Sequence, residues 1–328
     1  MAIPAPFGAA PADPFLLADE DVEQDTSARG SAAWRHLRRN PAFWIGGVAV
    51  VVIAAAAAAA PLLAPHDPNF AVRDSGLVDG QAVGPSAEFW LGTDRLGRDY
   101  FSRLLHGART SLIVALSATT VAAVLGTSVG MVAALAGTRR VRVGGARRGF
   151  DLVLPVEGLL MRLTDAFLSF PTLLLAIALA ALFGASLLLL SAVIAGLLWT
   201  TTARVVYSQT RAILTLEFID ASRALGVGHR RLLLRHVLPH MLPLVVVYTT
   251  LGIAAVVLFE SILSFLGAGV PAPAASWGTM IAEHASYYRT DPRLLILPGA
   301  AIALTTLAFN LLGDALGDAL DPRLSSLA

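Results

Sequence analysis

The chain has 328 residues, of which 56% are hydrophobic and 14% charged, with a mean hydropathy of +0.69 and a formal net charge of +1. One soluble core cannot hide that much apolar surface, so the composition favours a membrane protein over core helices of a soluble α-helical protein. Cysteine is absent, which excludes disulfides and cysteine nucleophiles, and lysine is absent too, so the chain lacks the P-loop of an ATPase.

The N-terminal residues differ in composition from the rest. Residues 1–33 are rich in alanine, proline and acidic side chains, show no amphipathic period and lack the basic start of a signal peptide. We predict that they form a disordered cytoplasmic tail.

Six apolar stretches follow, each near or above the roughly 20 residues that a membrane-spanning helix needs. Charges are missing altogether from Val48–Ala64 and from Leu173–Leu198. The predicted spans lie near Phe43–Ala64, Ser111–Ala136, Leu159–Phe183, Leu187–Val206, Met241–Leu266 and Leu294–Leu312.

The arginines are divided unevenly between the two sides of these spans. Most of them precede the first span, follow the second, or lie between the fourth and the fifth. Basic residues accumulate in loops that stay cytoplasmic, so both termini and the loop around residue 220 are predicted to be cytoplasmic.

A long polar stretch separates the first two spans and ends in the run Trp90–Leu112. In this run Asp94 and Asp99 lie among several arginines, which predicts an ion-pair network on an interfacial helix that fixes the start of the second span. The candidate residues of this motif are Gly92, Thr93, Asp94, Gly97, Arg98 and Asp99.

A second polar segment, Glu217–Pro239, lies between the fourth and fifth spans. Gly226 is placed to end a helix in the left-handed conformation, and another short helix is predicted to begin near His229. The apolar positions that predict one face of the first helix recur at three- and four-residue steps: Leu214, Phe218, Ala221 and Leu225.

Both polar segments resemble a known family. The triplet Asp220-Ala221-Ser222, with Gly226 and Val237-Leu238-Pro239 after it, resembles the EAA loop of ABC-importer permeases, with Asp in place of the usual Glu. We call Glu217–Pro239 the EAA-like segment. The run Trp90–Leu112 resembles the signature of the C-type permease subunit of peptide, dipeptide and nickel importers. The resemblance covers about residues 34–324, with further matches at Asp165–Pro171, Ser264–Gly267, Pro271–Gly278, Phe309–Asp314 and Asp318–Leu324.

This resemblance implies an all-α polytopic membrane protein with six transmembrane helices, in the type I ABC importer fold with an N-terminal extra span. It assigns residues 34–110 to the first span and an extracytoplasmic segment. Residues 111–324 become the importer transmembrane domain, with the EAA coupling loop at 212–239. The implied location is the cytoplasmic (inner) membrane of a bacterium.

The implied function is that of a non-catalytic permease subunit that forms half of a translocation pore for oligopeptides or dipeptides, with nickel or another small solute as the alternative cargo. The implied partners are a homologous B-type permease, two ATP-binding subunits or one fused pair, an extracytoplasmic solute-binding protein and the lipid bilayer, without nucleic acid. This subunit would bind no cofactor, because ATP and magnesium would bind to the partner ATPases.

If the resemblance extends to coupling, the EAA-like segment contacts an ATP-binding subunit. The alternative is a solvated interfacial loop, but the apolar face of its helix would then lie exposed to the cytosol. The candidate contact residues are Glu217, Asp220, Ala221, Ser222, Gly226, Arg230 and Pro239.

Polar side chains inside the spans are the pore candidates, because a carboxylate at a helix centre costs about 2.5–3.5 kcal/mol and usually faces protein or water. Asp165 follows Arg162 by three residues, so a structural ion pair is the alternative to a substrate contact. Glu260 has no evident partner nearby in the sequence, and an inter-subunit hydrogen bond is its alternative role. A last candidate is a polar stripe at four-residue steps toward the cytoplasmic mouth: Asn310, Asp314 and Asp318.

Other features carry weaker signals. His236 and His240 are one turn apart, but no histidine has the spacing with carboxylates that indicates a metal site, so none is predicted. Trp277, Tyr287 and Tyr288 predict an interfacial aromatic belt or a surface for a binding protein. A proton-coupled secondary transporter would show paired intramembrane acids and an internal repeat, and a membrane hydrolase a nucleophile with its base; neither pattern is present.

Overall fold

A computed structural model of the protein describes residues 34–35, 37–72, 75–78, 80–136, 138–143, 150–184 and 186–320. The predicted tail at 1–33 and the last residues of the family resemblance, 321–324, lie outside the described residues. Within those ranges the chain is almost entirely helical, with two short antiparallel hairpins.

We number the helices and strands of the described residues in chain order. The hairpins pair β1 with β2, where Leu77 faces Ala82, and β3 with β4, where Thr138 faces Pro155. A 3₁₀ turn covers Ala285–Tyr287. The elements are α1 Pro41–Ala58, α2 Ala60–Leu63, β1 Leu77–Val78, β2 Gln81–Ala82, α3 Tyr100–Ala136, β3 Thr138–Val143, β4 Phe150–Pro155, α4 Val156–Leu168, α5 Thr172–Phe183, α6 Leu187–Ile213, α7 Glu217–Ala224, α8 His229–Arg231, α9 Leu238–Phe265, α10 Trp277–His284 and α11 Arg293–Leu320.

Five helical stretches of the described chain are long and apolar enough to cross a membrane: α1, α3, α6, the stretch His229–Phe265 and α11. The pair α4 and α5 passes the same test together but bends by 86°. The predicted third span over Leu159–Phe183 is therefore present as a broken pair of helices, because Pro171 lacks an amide hydrogen and disfavours helical geometry at Phe170. With this pair as one broken span, the described residues supply six crossings, and the chain is an all-α polytopic membrane protein.

Helix α3 is longer than a membrane is thick. Its 37 residues extend about 55 Å, against a hydrocarbon core of roughly 30 Å. It begins at Tyr100, eleven residues before the predicted second span, so its first turns project beyond the hydrocarbon core. The predicted division between residues 110 and 111 falls inside this helix.

Contacts between the long helices define their directions. Ser117 of α3 meets Ser191 of α6 at 3.1 Å and Gly126 lies against Trp199, so these two helices run parallel. Helix α9 runs antiparallel to α3, and α11 runs antiparallel to both α9 and α1. The ends of α3, α6 and α11 and the starts of α1 and α9 therefore share one side of the bundle, which we call the EAA side.

The parallel pair α3 and α6 is packed through glycine. A methyl group added to Gly126 would lie 2.6 Å from the carbonyl oxygen of Trp199, and one added to Gly130 would lie 2.5 Å from that of Ala203. Small residues allow such close backbone approach between membrane helices, where packing rather than hydrophobic burial drives association. Both helices contribute side chains to the main hydrophobic core.

Candidate functional site

The EAA-like segment forms the two helices that its sequence predicts. Helix α7 starts at Glu217 with two acidic side chains in its first turn, where the helix dipole stabilises negative charge. It ends before Gly226, whose φ of +78° is a left-handed conformation that glycine adopts freely. The amide of Val227 donates to the carbonyl of Ser222 at 3.1 Å, and α8 begins at His229, as predicted.

One side chain anchors α7 to the spanning helices. Ile219 is fully buried and packs in a cluster with Leu214, Leu232, Val237 and Met241. The cluster also includes side chains from the EAA-side ends of α3 and α6. The prediction that Leu214 shares the apolar face of α7 is wrong, because Leu214 lies at the end of α6, before α7 begins.

The other face of α7 is exposed. The remaining members of the predicted apolar face, Phe218, Ala221 and Leu225, are all exposed, Leu225 by 64%. Phe218 stacks on the ring of His240 with 5.3 Å between centroids, which covers part of its surface. Helix α7 is thus attached by one buried side chain and presents apolar surface to the outside.

The polar candidates of this segment lie mostly on its surface. Ser222 is half-buried, and its hydroxyl donates to the carbonyl of Phe218 at 2.8 Å. Asp220 pairs with Arg223 at 3.2 Å, an exposed ion pair of the kind that contributes little to stability. The candidates that the structure places on the exposed surface are Glu217, Asp220, Ala221, Gly226, Arg230 and Pro239.

The EAA-like segment continues into α9 without a break. Leu232–Val237 forms a π-helical stretch between α8 and α9, a rare geometry that often marks functional sites. Pro239 lies in the first turn of α9, the helical position at which proline is best tolerated. The stretch from His229 to Phe265 therefore connects this segment to the far side of the bundle.

On the side opposite the EAA side, residues 64–72, 75–78, 80–106 and 267–293 form a polar region that we call the cap. Its centre is an ion-pair network. Nε of Arg98 donates to Asp94 at 2.6 Å, and Nη2 groups of Arg98 and Arg103 donate to Glu283 at 2.6 and 2.8 Å. Asp94 and Arg103 are fully buried. The network joins the turn before α3, α3 itself and α10.

The network differs from the prediction in two ways. The motif 92–99 forms turns before α3 rather than an interfacial helix. Asp99 accepts hydrogen bonds from the amide and hydroxyl of Ser102 and lies 3.6 Å from the ring of His66, instead of pairing with an arginine. Sequence reasoning missed Glu283, which lies 185 residues from Arg98 and shares no local pattern with it.

Arg293 ties the start of α11 to the same turns. Its guanidinium donates to the carbonyls of Leu91, Val83 and Thr93 at 2.9, 3.1 and 3.2 Å. Gly92 has a φ of +75°, and a methyl group added to it would lie 2.5 Å from the Val83 carbonyl oxygen and would overlap the guanidinium. Glycine is therefore required there by both backbone conformation and space.

Asp94, Glu283 and His284 offer ligand atoms that lie within 4.8 Å of one another, a spacing suited to a metal ion. Two guanidinium groups, from Arg98 and Arg103, already bond the two carboxylates. A cation at this place would meet two fixed positive charges. The cluster fits an ion-pair network better than a metal site.

Glu260 lies inside the bundle rather than on an open surface. It is fully buried and accepts hydrogen bonds from Ser111 of α3 at 3.0 Å and Ser264 at 2.7 Å. The expectation that it lacks a partner nearby in the sequence is wrong, because Ser264 is one helical turn away. Ser264 also contacts Ser276, the residue that caps α10, so this carboxylate links α3, α9 and the cap.

The other pore candidates lie on exposed or half-buried surface. Asp165 pairs with Arg204 of α6 rather than with Arg162, the partner suggested by sequence spacing. Asn310 is half-buried, and Asp314 and Asp318 are exposed near the EAA-side end of α11.

The predicted aromatic belt is wrong for one of its three members. Trp277 is 2% exposed, and its indole nitrogen donates to the carbonyl of Leu104 at 3.2 Å. The ring belongs to the main hydrophobic core. Tyr288 is exposed and Tyr287 half-buried against Arg95, at 4.6 Å from the guanidinium to the ring centroid.

A polytopic helical bundle with an exposed helix-turn-helix on one side and an extra first span is the architecture of an ABC-importer permease. Residues 146–326 match the family described as binding-protein-dependent transport system inner membrane component, and residues 29–80 match the N-terminal transmembrane domain of oligopeptide transport permease C. The chain belongs to the binding-protein-dependent transport system inner membrane component family.

Named relatives match the chain over nearly its whole length. It is 35% identical to the dipeptide transport system permease protein DppC of Alkalihalophilus pseudofirmus over 90% of both chains. It is 36% identical to the di/tripeptide transport system permease protein DppC of Pseudomonas aeruginosa over 90% of this chain and 92% of the relative. It is 34% identical to the glutathione transport system permease protein GsiD of Pectobacterium atrosepticum over 95% and 97%. The chain is accordingly a non-catalytic membrane permease subunit of an ABC importer.

Proposed function

We propose that this permease carries peptides and that α7 couples it to cytoplasmic ATP-binding subunits. The observation that carries the coupling proposal is the division of α7 into one anchored and one exposed face. Ile219 fixes the helix to the ends of three spanning helices, whereas Ala221 and Leu225 face outward. A partner bound to the exposed face would transmit its own movement to the spanning helices through this attachment.

The proposed assembly places the EAA side in the cytoplasm and the cap outside, in the inner membrane. A homologous permease completes the pore, two ATP-binding subunits or one fused pair bind ATP and magnesium, and a solute-binding protein delivers cargo to the cap side. This chain would bind no cofactor. The arginine-rich EAA side and the cap's position at the other end of the bundle support this orientation.

The coupling proposal is tested by Ala221→Arg. Ala221 is exposed and its replacement removes no internal contact, so the helix should persist while a bulky charge blocks docking. The chain is tagged and purified from membranes of cells that also express a candidate second permease and candidate ATP-binding subunits from the same genome. We expect the variant to retain the second permease and to lose the ATP-binding subunit and the ATPase activity.

The matched control is Ala87→Arg, which adds the same charge to an exposed alanine on the cap side. It should keep both partners and the activity. Full ATPase recovery with Ala221→Arg would contradict coupling through this face. Purification of the unmodified chain without any permease or ATPase would contradict the assembly itself.

The cargo proposal rests on relatives named for dipeptides, di- and tripeptides and glutathione, which is itself a tripeptide. The test is uptake of a labelled dipeptide by vesicles that contain the whole assembly and its binding protein. Excess unlabelled tripeptide should compete with the label and nickel should not. Competition by nickel alone would assign the alternative cargo.

A further inference from the structure

A basic pocket lies beside the EAA-like segment, where α8 and the π-helical stretch lead into α9. Its volume is about 720 Å³ and it is open to the outside. The lining residues are Gly228, His229, Arg230, Arg231, Leu234 and Arg235. We propose that this pocket binds the phosphate headgroup of an anionic phospholipid from the leaflet on the EAA side.

The pocket carries positive charge that the chain does not neutralise. Three other arginines on this side are paired: Arg204 with Asp165, Arg211 with Glu157 and Arg223 with Asp220. The three arginines of the pocket form no ion pair with an acidic side chain within the described part of the chain. Guanidinium groups match phosphate oxygens in geometry and in charge, so an anionic phosphate complements this pocket.

An apolar surface continues from the pocket into the membrane. Leu234 lines the pocket and is 53% exposed, and Leu242 and Val246 of α9 are exposed as well. These residues lie at intervals of four or eight along one continuous helical stretch, which places them on about the same face. A lipid whose headgroup sits in the pocket would have this strip beside its acyl chains.

This strip favours a lipid over the other candidate occupant, an acidic surface of the ATP-binding subunit. A protein that docks from the cytoplasm would reach the arginines but would not cover Leu242 and Val246, which lie within a spanning helix. Basic pockets at the membrane ends of helices are also where anionic headgroups bind in other membrane proteins. The inference rests on membrane insertion, not on coupling through α7.

The test uses Arg231→Gln combined with Arg235→Gln, both exposed positions, in the purified full chain. Retention of phosphatidylglycerol and of phosphatidylcholine is measured by native mass spectrometry in detergent. An arginine near an anionic surface contributes about a factor of five in binding, so phosphatidylglycerol retention should fall about 30-fold, with phosphatidylcholine unchanged. The matched control is Arg38→Gln with Arg39→Gln, which removes two exposed arginines that precede α1 on the same side.

Three results would overturn the proposal. Unchanged phosphatidylglycerol retention would show that the pocket is not a lipid site, and an equal loss in the control would show general attraction of basic residues to the leaflet. Normal retention together with loss of the ATP-binding subunit would assign the pocket to protein docking. If the double glutamine variant does not fold, Arg235→Gln alone serves instead: phosphatidylglycerol retention should then fall about five-fold, and unchanged retention would overturn the proposal.

Discussion

Charged side chains meet opposite environments at the two ends of this molecule. In the cap, Asp94 and Arg103 are fully buried, and their guanidinium and carboxylate groups are bonded to partners within the chain. In the EAA-like segment, Glu217, Asp220 and Arg230 are exposed, next to apolar side chains that are exposed too. A buried, paired charge holds a structure together, whereas exposed apolar surface beside exposed charge is suited to a partner.

The two regions also differ in how firmly they are held: the cap is rigidly connected, whereas α7 can move when a partner binds. The cap joins three helices through bonds between groups distant in the chain, so its turns can hardly move separately. Helix α7 is attached mainly by Ile219 and is continuous, through the π-helical stretch, with α9. The comparison therefore predicts that substitutions in the cap lower stability, and that those on the outward face of α7 lower association instead.

The largest effect is expected for Arg103→Met. The substitution keeps a long side chain but removes a buried cation that contacts Glu283 and lies 3.6 Å from Asp94. Removing one partner of a buried ion pair costs about 3–5 kcal/mol, and the loss here should fall toward the lower end of that range, because Glu283 is partly exposed and both carboxylates keep their bonds to Arg98. Thermal unfolding in detergent should show a large loss of stability. The control is Arg95→Met, which removes a partly exposed arginine over Tyr287 and should lower the free energy of unfolding by no more than about 1 kcal/mol. An equal loss of stability in the two variants would contradict the stated difference between buried and exposed arginines.

A smaller but substantial loss is expected for Gly92→Ala in the cap. The left-handed conformation costs a non-glycine residue roughly 1–2 kcal/mol, and the added methyl group also displaces Arg293 and crowds the Val83 carbonyl, for roughly 1–3 kcal/mol more. Denaturant unfolding in mixed micelles measures the sum. A loss of stability no larger than the backbone cost would show that the Arg293 guanidinium can move aside without penalty.

Gly226→Ala should cost less, although its φ of +78° nearly equals that of Gly92. No heavy atom lies within 4 Å of a methyl group added there, so only the backbone cost of roughly 1–2 kcal/mol applies. The same unfolding measurement compares the two variants directly. Gly228→Ala, at ordinary φ and with equally open surroundings, is the control and should stay close to the unmodified chain.

The smallest change in stability is expected for Leu225→Ser on the outward face of α7. Leu225 is exposed, so its loss should alter the free energy of unfolding by less than about 0.5 kcal/mol. Association with the ATP-binding subunit should nevertheless weaken, as measured by co-purification. A variant that loses stability but keeps its partner would reverse the assignment of this face.

Much of the EAA-like segment was predictable because its signals are local. The glycine that ends α7 and the start of α8 at His229 both follow from residues within a few positions of one another. The anchor was not predictable. Ile219 is buried and Phe218 exposed because the ends of α3, α6 and α9 meet one side of α7, and spacing alone does not say which side that is.

The broken third span shows a similar limit. Apolar length predicts a crossing over Leu159–Phe183, and Pro171 marks a weak point within it. The bend of 86° at that point is a property of the folded chain. Likewise, a carboxylate in a predicted span marks Glu260 as unusual, but its hydroxyl partner Ser111 comes from another helix.

The sequence by itself determined that the chain crosses a membrane, roughly where it does so, and which family it resembles. Those properties depend on hydropathy, on the asymmetry of arginines and on short motifs, all of which are written in consecutive residues. Only the tertiary structure decided that Glu283 and Arg293 complete the cap, because they meet the motif at Arg98 and Thr93 from 185 and 200 residues away. Packing brings such residues together, and the local sequence pattern around each residue gives no sign of its distant partner.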